Sequence, residues 1–305
     1  MKLKTLVSIL LLIVIMAFFF MGQYYQTLGD TIGAITMTLI LFVLMGALAW
    51  GATIARQREG SFSTVLHVVG LVIGVVYLIV GGLFVVPTGS HFFYVNSEKQ
   101  DIQEQADTVI VRTNEMLVFY KKMADNRAQR LEQDIINSQY TPTGRGDFAK
   151  AYPNKAYDSK MPATERVAFG NRLLSTFNNI KEEWENQFEQ EFSSKLAHDW
   201  SAFYSPENSQ LLANKVSEYS SQLQDAYKKT TSPFERLRGE KPEFEKNVSA
   251  NYIVQKFQNS DTSVAWNIIL MILLIISASS FIFVQSTHIK TQKKKDPIFD
   301  LGHNI

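Results

Sequence analysis

Four segments of the chain are almost purely apolar, and the sequence around them is richly charged. They cover residues 5–22, 32–55, 62–86 and 263–287, each close to the roughly 17 to 25 residues that a helix needs to cross the hydrocarbon of a bilayer. A spanning segment must satisfy its own backbone hydrogen bonds, and a single run of this length does so only as an α-helix. The pattern therefore predicts four transmembrane helices.

The long region between the third and fourth apolar segments, residues 88–262, has the apolar spacing of amphipathic helices. One helix is predicted over about 97–135 and a second over about 163–204, since apolar side chains recur there at steps of three and four. Residues 139–162, rich in proline and glycine, are predicted to form a long loop between them. The fold class is therefore all-α: four transmembrane helices with a large helical bundle between the third and fourth.

Further helix starts are predicted where a serine is followed by proline and then by an acidic residue, as N-cap and first-turn preferences favour. This pattern occurs at Ser205 with Pro206 and at Ser232 with Pro233. A last helix is predicted to run from Glu243 toward Trp266, where it could be continuous with the fourth span.

Positive charges beside the apolar segments predict the orientation in the membrane. Lysine and arginine are enriched in cytoplasmic flanks, and here they fall on alternate crossings: Lys2, Lys4, Arg56, Arg58, Lys290, Lys293, Lys294 and Lys295. Both termini are thus predicted to be cytoplasmic. The domains are a membrane domain at 1–87, a periplasmic domain at 88–262, the fourth span at 263–287 and a cytoplasmic tail at 288–305. The first segment could also be a cleaved signal peptide, but no small-x-small site follows it, which favours a retained anchor.

The composition limits the possible partners and the cellular location of the protein. A formal net charge of +1 without a clustered basic face gives no reason to expect nucleic acid as a partner. The absence of cysteine excludes disulfides and thiolate chemistry. A large extracytoplasmic domain without disulfides fits a bacterial envelope, and the predicted location is the bacterial inner membrane.

The cores of the spans contain no Asp, Glu, Lys or Arg. Channels, proton-driven motors and transporters place such groups at membrane depth, so the spans are predicted to serve packing and not transport. Gly70, Gly74 and Gly81 in the third span lie along one helical face and are predicted to pack against another helix, in this chain or in another copy. Glycine is also common in membrane helices, so the alternative of no specific contact stays open.

Aromatic side chains in the predicted periplasmic domain are candidates for protein contact. Those in the loop and on the second long helix are Tyr140, Phe148, Tyr152, Tyr157, Trp184, Phe188 and Trp200. The helix stripe could pack on the first long helix as a hairpin, or its excess aromatic surface could meet another subunit.

No pattern of residues in the sequence predicts catalysis or cofactor binding. The five histidines lack the spacing of a helical metal site, and no nucleophile elbow, Walker loop or dinucleotide fingerprint occurs. We therefore expect neither catalytic, metal-binding nor cofactor-binding residues, and a protein that is not an enzyme.

Two functional classes remain: a structural component of an envelope assembly, or a membrane receptor that senses a ligand through its helical domain. A sensor needs an output module, and the predicted cytoplasmic tail is short, which favours the structural reading. The predicted partners are other membrane-complex proteins, further copies of the chain and the lipid bilayer.

The arrangement of three amino-terminal spans, a helical periplasmic region and one last span, from Met1 through the tail at Lys293 to Ile305, resembles the TssN family. These proteins are membrane components of the type VI secretion system of Bacteroidota. The resemblance implies an inner-membrane part of the complex that works alongside TssO, TssP, TssQ and TssR and anchors a contractile injection apparatus. It assigns no functional residues to this chain.

Overall fold

The computed structural model of the protein describes residues 3–57, 63–189 and 206–282, and within these ranges it contains helices and no strand. The helices are, in chain order, α1 (Leu3–Gln26), α2 (Thr31–Gln57), α3 (Ser63–Val80), α4 (Val86–Ser97), α5 (Lys99–Asn137), α6 (Pro142–Ala151), α7 (Met161–Glu183), α8 (Pro206–Lys229), α9 (Pro233–Arg238), α10 (Asn251–Gln258) and α11 (Val264–Ile282). Two π-helical turns, Gly81–Val85 and Trp184–Glu189, follow α3 and α7.

The chain divides into two units, which we call the apolar unit, Met1–Lys99 with Lys256–Ile305, and the polar unit, Gln100–Gln255. Three helical stretches in the apolar unit are long and apolar enough to cross a membrane: Leu6–Gln26, Thr31–Arg56 and Val65–Ser97. The fourth apolar segment forms α11, whose described apolar part, Val264–Ser279, is shorter. The three long helices indicate a membrane protein.

A tight turn joins α1 to α2. The turn contains two residues with positive φ, Leu28 at 52° and Gly29 at 89°, and the Gly29 N–H donates to the Tyr24 carbonyl. Asp30, the lone acidic residue of this apolar region, accepts a hydrogen bond from the Gly33 N–H at 2.9 Å. A carboxylate in this position caps the first turn of α2, which explains a charge between two apolar segments.

The third apolar helix does not end where the apolar run ends at Val86. It passes through Pro87 and continues as α4 to Ser97. Proline lacks an N–H and its ring collides with the carbonyl one turn before it, so it normally kinks or ends a helix. The π-helical turn immediately before it widens the helix, and the Val86 N–H donates to the Gly81 carbonyl.

The core of the apolar unit lies between α1, α2, α3, the first turn of α4 and α11. Its fully buried side chains include Ile15, Met45, Tyr77 and Leu274. Polar groups within this core are paired: the Tyr77 hydroxyl lies 3.1 Å from the Ser277 hydroxyl, and other bonds link Ser277 to Ser8.

The predicted helix from Glu243 to Trp266 is wrong, because the chain is helical only at α10 and again from Val264. The segment between α10 and α11 is held by two buried side chains of α4. Both ring nitrogens of His91 face backbone carbonyl oxygens, that of Asp261 at 2.8 Å and that of Phe257 at 2.7 Å. Ser90 Oγ donates to the Ser263 carbonyl and accepts from the Ser263 N–H. These contacts satisfy backbone groups that a continuous helix would have paired.

In the polar unit, α7 runs antiparallel to α5 and α8 runs parallel to it. The Arg166 guanidinium pairs with Glu132 at 3.0 Å, whereas further along α7 the Tyr120 hydroxyl donates to the Leu173 carbonyl at 2.9 Å. On α8, Ser220 contacts Met116.

The predicted loop at 139–162 contains a helix, α6. It begins with Thr141, whose side chain accepts from the Gly144 N–H at 3.0 Å, and with Pro142 at the first helical position. The predicted start at Ser232 is confirmed, because Ser232 and Glu235 form a reciprocal capping box at the beginning of α9. Gly239, with φ of 68°, ends this helix.

Candidate partner-binding surface

A buried ion pair in the interior of the polar unit joins α5 to α9. Arg127 of α5 donates through Nε to Glu235 Oε1 at 2.9 Å and through Nη2 to Oε2 at 2.6 Å. Two further guanidinium N–H groups donate to the carbonyls of Tyr227 and Thr230, and the guanidinium carbon lies 4.4 Å from the centre of the Tyr227 ring. All the charged groups are thus paired in a fork geometry, which is the condition under which a buried pair is tolerated.

The electrostatic surroundings of Glu235 keep it ionised. Burial raises the pKa of this carboxyl, but hydrogen bonds from Arg127 and Ser232 and the arginine charge together hold it below its usual value. Burial also raises the pKa of Tyr120 to about 12, so its phenol stays protonated and donates to the Leu173 carbonyl.

An open groove of about 570 Å³ lies between α5 and α7 on the outside of the polar unit. Its apolar side chains are Leu117, Val118 and Phe177, of which Val118 is 70% exposed. The Phe177 ring is supported from behind by the Tyr120 ring, which stacks on it at 5.8 Å. The floor of the groove is therefore the aromatic ring of Phe177, and its exposed edge is the aliphatic side chain of Val118.

Cations surround this groove. Lys121, Lys122 and Lys181 contribute three positive charges to its lining, and Asp125 contributes one negative charge. Within the described ranges, the ammonium groups of Lys121 and Lys122 form no ion pair, while Lys181 pairs with Glu185 on its own helix. Val111, seven residues before Val118, is 56% exposed and extends the apolar line along the same face of α5. We use the name α5 groove for the following residues of α5 and α7: Val111, Leu117, Val118, Lys121, Lys122, Asp125, Asn126, Phe177 and Lys181.

Six of the aromatic residues that the sequence singled out lie in the described ranges, and two of these six lie at the surface. Tyr140 is 78% exposed and Tyr157 is 42% exposed. Phe148 and Tyr152 are buried, with Tyr152 packed edge-on against Phe234 of α9. The expectation that all four loop side chains are available to a partner therefore narrows to the two tyrosines at 140 and 157.

The part of the aromatic stripe that the structure describes, up to Phe188, faces inward. Trp184 is fully buried, donates to Asn114 of α5 at 2.7 Å and meets Tyr219 of α8 edge-on. Phe188 is buried beside it, stacked at 5.8 Å. This part of the stripe packs within the unit, as the hairpin alternative expected, and covers the inner side of α5. Trp200 lies outside the described residues.

The helix-packing glycines lie against helices of the same chain. A Cβ at Gly70 would lie 2.7 Å from Arg56 Cγ and 3.1 Å from the Ala52 carbonyl oxygen of α2. A Cβ at Gly81 would lie 2.5 Å from Leu274 of α11. Gly74 is also buried. Two of the three positions thus have identified neighbours that leave no room for a side chain.

The α5 groove itself was missed in the sequence, although a signal was present. Val111 and Val118 are aliphatic residues seven apart on the otherwise polar face of an amphipathic helix, flanked by Lys121 and Lys122. A contiguous apolar patch outside the buried stripe, and not a single exposed aliphatic residue, indicates a second contact face.

In the part of the chain that the structure describes, no group of three or more His, Asp or Glu side chains is placed to hold a metal ion. No protein-family model, curated protein or solved structure matches the chain.

Proposed function

We propose that the protein is a non-enzymatic structural component of an envelope-spanning secretion assembly in the bacterial inner membrane. In this proposal four helices anchor it, both termini are cytoplasmic, and residues 88–262 are periplasmic. The resemblance to the TssN family favours the type VI secretion membrane complex, in which the protein would help to anchor the contractile apparatus.

The observation that carries this proposal is the α5 groove on the polar unit. An apolar floor, an aliphatic edge at Val118 and three surrounding lysines suit an amphipathic helix that presents apolar side chains toward the groove and acidic side chains toward its rim. Rim charges of this kind mainly set partner choice and association rate, while the apolar floor supplies affinity. The partner is a membrane-complex protein, with TssO, TssP, TssQ and TssR as the candidates by resemblance, or a second copy of this chain.

Site-specific photo-crosslinking in cells tests the proposal. A photoreactive amino acid at Val118 is expected to crosslink to a membrane-complex protein or to another copy, and the same residue at the exposed Ser221 of α8 serves as the control. A purified protein with no crosslinked partner at either position would contradict the proposal. Tight binding of a small molecule to such a lone species would instead favour a receptor.

A further inference from the structure

A second cavity, of about 310 Å³, lies within the apolar unit. It is bounded by α1, α2, the π-helical turn and the start of α4, with Ser260 at its edge. This volume is at the lower end of the roughly 300–1,000 Å³ of small-ligand sites. The cavity shares no residue with the α5 groove.

The lining of this cavity changes from apolar to polar along the helix axes. Phe19 of α1 and Leu41 of α2 lie toward the middle of their apolar helices, whereas Gln23 and Gln26 lie near the end of α1. At about 1.5 Å per residue, Gln26 lies about 10 Å from Phe19 along the axis. An amphiphile with an apolar chain and a polar head matches this gradient.

The polar side chains of the cavity, near the end of α1, are neutral and free to bond a ligand. Gln23, Gln26 and Thr88 line the cavity and are partly exposed, and their side chains make no hydrogen bond to any other residue that the structure describes. None of the residues that line the cavity is charged. Amides and a hydroxyl both donate and accept hydrogen bonds, so they suit a headgroup with donors as well as acceptors.

The helix that borders the cavity is irregular at this point. Pro87, which lines the cavity, has no N–H, and the Val86 N–H donates to the Gly81 carbonyl in the π-helical turn. Pro87 therefore contributes no hydrogen bond to the turn before it. π-Helical turns occur frequently at functional sites.

We propose that this cavity binds a phospholipid of the bilayer with an amine headgroup, such as phosphatidylethanolamine. Its acyl chain lies on Phe19 and Leu41, and its ammonium donates to the side-chain amide oxygens of Gln23 and Gln26. The side-chain NH₂ groups of the same glutamines donate to the lipid phosphate or ester oxygens. The lipid would brace the helix at the point where Pro87 interrupts its hydrogen bonds.

Native mass spectrometry of the full-length protein, exchanged into micelles doped with either phosphatidylethanolamine or phosphatidylglycerol, tests this proposal. The wild type is expected to retain one phosphatidylethanolamine. Leu41→Trp, which fills the cavity, should abolish retention, and Gln26→Leu should weaken it by at least about tenfold, because it removes two hydrogen bonds to charged groups of the lipid.

Leu39→Trp is the matched control, because Leu39 is 56% exposed on α2 and outside the cavity. It should retain the lipid as the wild type does, and helix content by circular dichroism should be the same in all four proteins. Equal retention by the wild type and Leu41→Trp, or equal retention of phosphatidylglycerol by the wild type, would overturn the proposal.

Discussion

Arg127 and Glu235, 108 residues apart in sequence, form a two-pronged ion pair that joins α5 to α9 inside the polar unit. Their side chains are 8% and 6% exposed, so water contributes little to their solvation. The carbonyls of Tyr227 and Thr230 complete the arginine's hydrogen bonds. This pair fixes α9 and the end of α8 against the long helix that carries the α5 groove.

Removal of one partner of this pair should strongly destabilise the polar unit. Arg127→Met leaves the Glu235 carboxylate buried without its main partner, and breaking a buried pair in this way costs about 3–5 kcal/mol. Hydrogen exchange of the α5 amides in the full-length protein measures the loss. Arg130→Met is the control, because Arg130 is more than half exposed in its pair with Glu240 and exposed pairs contribute about 0–1 kcal/mol. Equal losses in the two variants would contradict this account.

The same pair should make the polar unit sensitive to acid. Because the folded pKa of Glu235 lies below its ordinary value of 4.5, its stabilisation is fully present above that pH and is lost as the pH falls through the lowered pKa. The stability difference between wild type and Glu235→Gln should therefore be largest near neutral pH and shrink below about pH 4. Urea unfolding of both proteins between pH 7 and pH 3 checks this. A constant difference across that range would show that ionisation of Glu235 does not matter.

Alanine in place of glycine should destabilise the apolar unit where the glycine is packed against another helix, but not where it faces open space. Gly81→Ala places a methyl group 2.5 Å from Leu274, and overpacking of this kind costs about 1–3 kcal/mol. Gly46→Ala meets nothing within 4 Å and removes backbone freedom, so it should be neutral or stabilising by up to about 1 kcal/mol. Thermal unfolding in detergent measures both. The account is wrong if Gly81→Ala is as stable as Gly46→Ala.

Loss of the His91 side chain should release the segment between α10 and α11. Either tautomer of His91 has one ring N–H, so His91→Leu removes one hydrogen bond to the Phe257 or the Asp261 carbonyl, at a cost of about 1–3 kcal/mol for the unsatisfied group. Hydrogen exchange over residues 259–265 should become faster. His91→Gln, which keeps donors, should restore part of the protection, and unchanged exchange in both variants would contradict the assigned contacts.

Helix starts and apolar segments could be predicted from the sequence because their causes are local. The capping box at Ser232 depends on residues three apart, and the apolar runs depend on composition alone. The proline and glycines of 139–162 predict a loop, and α6 forms there because Thr141 with Pro142 is itself a local start signal.

Other features depend on residues far apart in sequence and could not be predicted. The break after α10 is stabilised by His91 and Ser90 of α4, more than 160 residues earlier. The aromatic stripe at Trp184 has the spacing of a contact face, but its spacing does not indicate which helix covers it. Only the packing against Asn114 and Tyr219 shows that the stripe is internal and that the exposed face of α5 lies elsewhere.

The α5 groove should no longer bind its partner when its apolar edge is made acidic and one of its positive charges is made negative. Val118→Asp with Lys122→Glu places two acids on the groove while altering only exposed positions, so folding should be unchanged. Ser221→Asp with Lys228→Glu on α8 is the matched control, because it also alters exposed positions and makes the same change in charge. Helix content and thermal stability should be equal in all three proteins.

Affinity purification of these three full-length proteins from cells, in mild detergent, tests the central claim most directly. We predict that the wild type and the α8 control copurify with a fixed set of membrane proteins, and that the groove variant has lost at least one of them. Purification of the wild type as a lone species, or an identical set of proteins with the groove variant, would contradict a structural role through this surface.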